Sequence, residues 1–239
     1  MKIFFSFLIS FFILTPCFSQ QDSSTIIKPK HGFKKYIIPA TFIVYGLSTF
    51  DQNGLPSSNE VKNFRDRNYS DFNTSMDDYL VFAPAAILYT FDFLKVKGKS
   101  DFLNQNIICA KALTLSLGLT YLLKYTTQIT RPDGSDNLSF CSGHSAAAFT
   151  FAEVLHQEFK EKPWIAISGY ALATSVAAMR IANNKHWLSD VLVGAGIGML
   201  SAKLIYASHR YKWKWKANGM LVPFSTSNGQ NGFRYVLTF

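Results

Sequence analysis

Three patches between residues 124 and 190 decide how this chain is read: Lys124-Tyr-Thr-Thr-Gln-Ile-Thr-Arg131-Pro132, then Cys141-Ser142-Gly143-His144, then Arg180-Ile-Ala-Asn-Asn-Lys-His186-Trp-Leu-Ser-Asp190. In the first, seven positions separate two cations, close to two helical turns, so Lys124 and Arg131 share a face if the helix persists that far. Two fixed cations on one side suit a phosphoryl group, although a Lys and an Arg near a helix end also serve simply to complement the dipole. In the second, Ser142 or Gly143 is placed to cap the alanine-rich helix that follows, whose open N–H groups make an anion site. Gly143 lets backbone approach an oxyanion, and His144 can give a proton to a leaving-group oxygen. Taken alone, the tetrapeptide more often marks a plain capped helix with an incidental histidine. In the third, His186 and Asp190 stand one turn apart, so the carboxylate can accept from one imidazole nitrogen and leave the other free to attack. Such a pair is commonly a surface contact, but here it borders the apolar, glycine-bearing run Val191 to Leu200.

Working outward, six apolar segments predict helices: Tyr36 to Phe50, Tyr79 to Leu94, Asn106 to Lys124, Ser145 to Phe159, Pro163 to Arg180 and His186 to Tyr211. No strand pattern precedes the tail, so the expectation is an all-α six-helix bundle. Between Asn53 and Asp78 the composition is polar, with Pro56, Ser57 and Ser58, and reads as a long loop of the kind that acts as a lid or binding element. The tail, 212–239, differs in character. Met220 to Phe224 and Phe233 to Phe239 flank Asn228, Gly229, Asn231 and Gly232, which predicts a short strand pair. Ahead of it Trp213 and Trp215 alternate with Lys212, Lys214 and Lys216, a pattern shared by membrane-interface segments and by solvated basic connectors. Among the six segments the longest uncharged stretch, Pro163 to Met179, has seventeen residues, and about 20 are wanted per span. Composition therefore leaves open whether these helices cross a membrane or form an apolar soluble core.

The first residues pair Lys2 with an apolar run, Ile3 to Leu14, followed by Thr15, Pro16, Cys17, Phe18 and Ser19. That is the layout of a secretory signal, 1–19, followed by a polar leader, 20–35. The expectation is an exported, periplasmic or extracytoplasmic protein. Beyond the signal only Cys109 and Cys141 remain, on different predicted elements, so two unpaired thiols are expected and the core must hold the fold. With 239 residues and 48% hydrophobic content, one sizeable domain, 36–211, is expected. The net charge of +9 comes with no nucleic-acid motif, so nucleic acid is not expected as a partner; an anionic substrate or membrane surface is.

Lys-x6-Arg-Pro, Ser-Gly-His and Arg-x5-His-x3-Asp, in that order, resemble the three-part signature of type 2 phosphatidic acid phosphatases, shared with bacterial class A acid phosphatases and vanadium haloperoxidases. The resemblance covers the motif core, 106–200, and not the leader or tail. It implies a metal-independent phosphatase without a cofactor, acting on a phosphorylated lipid or small phosphomonoester at a membrane. It implies further that His186 is the nucleophile of a phosphohistidine intermediate, that Asp190 orients it, and that His144 protonates the leaving group and then activates water. Lys124, Arg131, Ser142, Gly143 and Arg180 would hold the phosphoryl oxygens. No metal ligand is implied. Two departures stand out: Cys141 where the family usually has Pro, and Met179 where it often has Ser. The alternatives are a vanadium-dependent haloperoxidase, in which the same cations hold vanadate, and a non-catalytic membrane protein on the same scaffold.

Overall fold

The computed structural model describes residues 32–50, 54–211, 218–225 and 231–238. The expected signal, most of the leader and the Lys/Trp interleaving at 212–216 lie outside the described residues. From Phe33 to Ser208 the described residues are helix and connecting loop. After a 3₁₀ turn, Phe33–Tyr36, come α1 (Ile37–Ser48), α2 (Ser58–Asn68), α3 (Met76–Leu80), α4 (Ala83–Phe93), α5 (Phe102–Thr127), α6 (Gly143–Glu158), α7 (Pro163–Ala182) and α8 (Leu188–Ser208). Seven of these have eleven residues or more and α3 has five, so the six-helix expectation is corrected. Residues Asn218–Ser225 and Asn231–Thr238 run antiparallel to each other.

Two additional elements come from the stretch read as a loop. Helix α2 starts at a capping box: Ser57 Oγ accepts from Glu60 N at 3.2 Å, and Ser57 N donates to Glu60 Oε2 at 2.8 Å. Its arginines and asparagines carry no apolar stripe, which is why hydrophobic periodicity passes over it. Helix α3 is separate from α4 because Pro84, in the first turn of α4, has no N–H to continue the preceding helix.

Helix α6 sits at the centre, packed against α4, α5, α7 and α8, while α1 lies along α8. Close approach of α6 and α8 depends on glycine. A Cβ on Gly194 would lie 2.6 Å from the Ser142 carbonyl oxygen, and one on Gly198 would collide with the Ala146 carbonyl. This contact brings the N-termini of both helices together, so Ser142 N donates to Asp190 O at 3.0 Å. The core, among others Leu88, Ile108, Val154, Leu155 and Ile165, fills the other end of the bundle.

Helices α5, α7 and α8 are each long and apolar enough to cross a membrane. The apolar windows of α5 and α7 are only 28% and 33% buried, against 67% for α8, so the first two turn most of their apolar surface outward. Tyr121, Tyr125, Trp164 and Ile167 are among the exposed side chains. Such a surface is suited to lipid.

Candidate active site

The three patches meet at one end of the bundle. Helix α5 stops at Thr127, with Gln128 in the left-handed conformation (φ 48°, ψ 42°), so the helix does not persist to Arg131 and the shared-face expectation is corrected. Pro132 disfavours a helical Arg131, and the Thr126 and Thr127 hydroxyls turn back to the Leu122 and Leu123 carbonyls at 2.8 Å each. The two cations converge through the loop instead. Lys124, buried, donates from Nζ to the Leu138 carbonyl and to Ser139 O at 3.2 Å. Arg131 donates from Nε to Asp136 Oδ1 at 2.8 Å and from Nη1 to Lys185 O at 3.4 Å.

Ser142 is the N-cap of α6, its Oγ accepting from Ser145 N at 3.3 Å. The N–H groups of Gly143 and His144 are left at the open helix terminus. A Cβ on Gly143 would meet only Thr120 Cγ2, at 3.9 Å, so protein packing does not demand glycine here; its smallness keeps the terminus uncovered. Cys141 is fully buried 3.8 Å from Thr120 Oγ1, and burial pushes its thiol up to about 12, so it is a packing residue and not a reactive one. Cys109 and Cys141 are both unpaired, in keeping with expectation.

His186 precedes α8, whose first residue is Leu188, yet the pair with Asp190 forms because Asp190 reaches back from the first turn. Asp190 Oδ2 lies 3.2 Å from His186 Nδ1 and accepts from Trp187 N at 3.0 Å and from Ser139 Oγ. His186 is 3% exposed and Asp190 is wholly buried. Burial lowers the His186 pKa to about 4 despite the opposing carboxylate, so the ring is neutral near pH 7. Trp187 Nε1 donates to Thr130 O at 2.8 Å and ties the third patch to the first.

Arg180, at the end of α7, and His144 share an environment supplied by α3, which the sequence reading missed. Arg180 Nη1 donates to Asp77 Oδ2 at 2.6 Å and stands 3.8 Å from Asp78 Oδ1. His144 Nε2 is 2.9 Å from Asp78 Oδ1. Burial, then Arg180, lowers the His144 pKa, and Asp78 opposes them. Asp77 also accepts from Asn183 Nδ2 at 3.0 Å. The acidic doublet ahead of an apolar run was the available signal; Ser139, the hydroxyl partner of Asp190, had none. The donor atoms of Asp77, Asp78 and His144 lie within 4.8 Å of one another. The Arg180 guanidinium already bonds Asp77 and stands 3.8 Å from Asp78, so these residues are not assigned as metal ligands.

A cleft of about 250 Å³, lined by Phe50, Ser58, Ile129 and Trp187 among others, flanks the His186–Asp190 pair without containing it. A smaller opening that shares Ser58 and Trp187 has His186 and Lys62 on its wall.

Residues 107–214 match the family model of the PAP2 superfamily. This stretch belongs to the PAP2 superfamily. The PAP2 region holds all eight predicted site residues and leaves out α1 to α4, the acidic doublet of α3 included. A curated relative, the lipid A 1-phosphatase of Porphyromonas gingivalis, is 28% identical over 218 residues, covering 84% of this chain and 47% of that protein. The chain thus spans about half the length of the curated relative it matches. Among solved structures, Aquifex aeolicus LpxE is similar with 22% identity, 61% of this chain, 93% of that chain and a TM-score of 0.47. The transmembrane PAP2-type phosphatidylglycerolphosphate phosphatase of Bacillus subtilis is similar with 18% identity, 76% and 100% coverage and a TM-score of 0.46.

Proposed function

We propose that this chain is a membrane phosphatase that cleaves a phosphate monoester or pyrophosphate of a lipid through a phosphohistidine on His186. The observation that carries the reading is the neutral, buried His186 held by Asp190 beside Lys124 and Arg180, whose charges both act on it. In the first step His186 Nε2 attacks phosphorus, the bond to the leaving-group oxygen breaks, and His144 gives that oxygen a proton. In the second, His144 takes a proton from water as the water oxygen attacks, and the P–N bond breaks to release inorganic phosphate. The negative oxygens of the transferring group are met by Lys124, Arg131 and Arg180, by the Gly143 N–H, and by Ser142 on the cap of α6. Arg180 Nε, buried and without an acceptor among the described residues, is one such donor. With three cations in place, the chemistry calls for no metal.

Lipid substrates are favoured by the outward apolar faces of α5 and α7 and by the aromatic cleft beside His186. The relative's name makes a lipid A 1-phosphate ester the leading candidate. An extracytoplasmic site is supported by charge. Lys35, Lys99 and Lys160 lie near one another where α6 ends, away from the site, and the chain runs on from Arg210 into Lys212, Lys214 and Lys216. Basic residues favour the cytoplasmic side of a membrane.

The test is phosphate release by the full chain in detergent from lipid A, phosphatidylglycerol phosphate, a prenyl pyrophosphate and a soluble phosphomonoester, with EDTA present throughout. The expected result is release from at least one lipid, on the order of 10⁴-fold lower or worse in His186→Ala. Acid-labile label from a radioactive substrate should be found on the wild type alone. Release that survives in His186→Ala, or that appears only when EDTA is left out, overturns the reading.

A further inference from the structure

Helix α3 lies outside the three-part signature, yet its Asp77 and Asp78 contact Arg180 and His144 directly. Its position is not accidental to packing. Asn183, just after α7, accepts from Thr74 N at 2.9 Å and donates from Nδ2 to Thr74 O at 2.8 Å and to Asp77 Oδ1 at 3.0 Å. Asp77 is 1% exposed and holds Arg180 through its other oxygen. This clamp fixes the start of α3 to the end of α7. The next residue, Asp78, is thereby set with Oδ1 2.9 Å from His144 Nε2, although its own side chain is 56% exposed. A half-exposed carboxylate has no packing reason to adopt one orientation, and here a buried neighbour supplies it.

We propose that Asp78 is a positioning residue for His144: it holds the imidazole by Nε2 and supplies the negative charge that keeps the ring a proton donor toward the leaving group. The inference rests on reading His144 as the leaving-group acid. The charges acting on His144 are Arg180 from α7 and Asp78 and Asp77 from α3. Of the other elements packed on α6, α5 turns Lys124 to the 138–139 carbonyls and α8 turns Asp190 to His186. Arg180 opposes protonation of His144, and Asp78 is the partner in direct contact that favours it. Asp77, already committed to Arg180 and Asn183, cannot take over this contact without breaking the clamp.

The experiment compares wild type, Asp78→Asn and Asp78→Glu in two arms. In the first, NMR follows the His144 ring through a pH titration of the full chain in micelles, which needs no turnover and stands whether or not the phosphatase reading does. Asp78→Asn should move the His144 midpoint to lower pH and leave His186 where it was; an unmoved His144 midpoint overturns the proposal. In the second, turnover of an alkyl phosphate and of 4-nitrophenyl phosphate is measured. Nitrophenolate leaves without a proton, so the variant should lose roughly 10-fold on the alkyl substrate and little on the aryl one, and Asp78→Glu should restore most of the loss. Equal loss on both substrates indicates a structural role and overturns the proposal. So does tighter vanadate binding with faster turnover in Asp78→Asn, which would make the carboxylate a competitor for the phosphoryl group.

Discussion

Oδ2 of Asp190 serves His186 Nδ1, Trp187 N and Ser139 Oγ together, inside a site from which the residue is wholly hidden. Three donors on one oxygen fix both the carboxylate and the ring, leaving His186 Nε2 as the atom with a free lone pair. The two histidines are both lowered by burial, so each is competent over a definite pH range. In the proposed mechanism His186 attacks only when neutral, and its value of about 4 sets the acid side: kcat/KM should rise as pH increases through that value. His144 must carry its proton in the first step, and its lowered value places the alkaline fall below the ordinary 6.5. A bell of kcat/KM on the acid side of neutrality is therefore expected. His144→Gln should lower the whole curve and flatten its alkaline limb; a wild-type curve still rising above pH 7 contradicts the assignment.

Helices meet here at distances that only small residues allow. Gly194 and Gly198 put α8 against the first turns of α6, and the result is the Ser142–Asp190 backbone bond that sets the cap beside the His–Asp pair. Gly198→Val should force the helices apart, lowering stability by about 1–3 kcal/mol, and with it the unfolding temperature in detergent. Activity should fall by more than stability alone accounts for, since the proposed phosphate-binding terminus moves with α6. Elements with a strong apolar pattern were legible in advance: α5 to α8 begin or end within a few residues of the runs that predicted them. The polar α2 and one-turn α3 were not, because a capping box and an acidic doublet carry no periodicity.

Across the described bundle, the proposed phosphate-binding groups lie at one end, and Lys35, Lys99 and Lys160 lie near one another where α6 ends. The orientation this implies is testable with single cysteines in an otherwise cysteine-free chain in intact cells. A cysteine at Lys185, near the site, should react with a membrane-impermeant thiol reagent from outside, and one at Lys160 should react only after lysis; the reverse pattern inverts the topology. The sequence by itself determined the helical class, the unpaired thiols and the residue types and order of the three patches, because these depend on residue type and local spacing. Tertiary structure alone decided that Arg131 joins the site from a loop, because its Nη1 bond to Lys185 O links positions 54 apart. It alone brought Asp77, Asp78 and Ser139 to Arg180, His144 and Asp190, because those contacts join residues 51 to 103 positions apart, and only the packing of α6 against α8 and of α3 against α7 closes such distances.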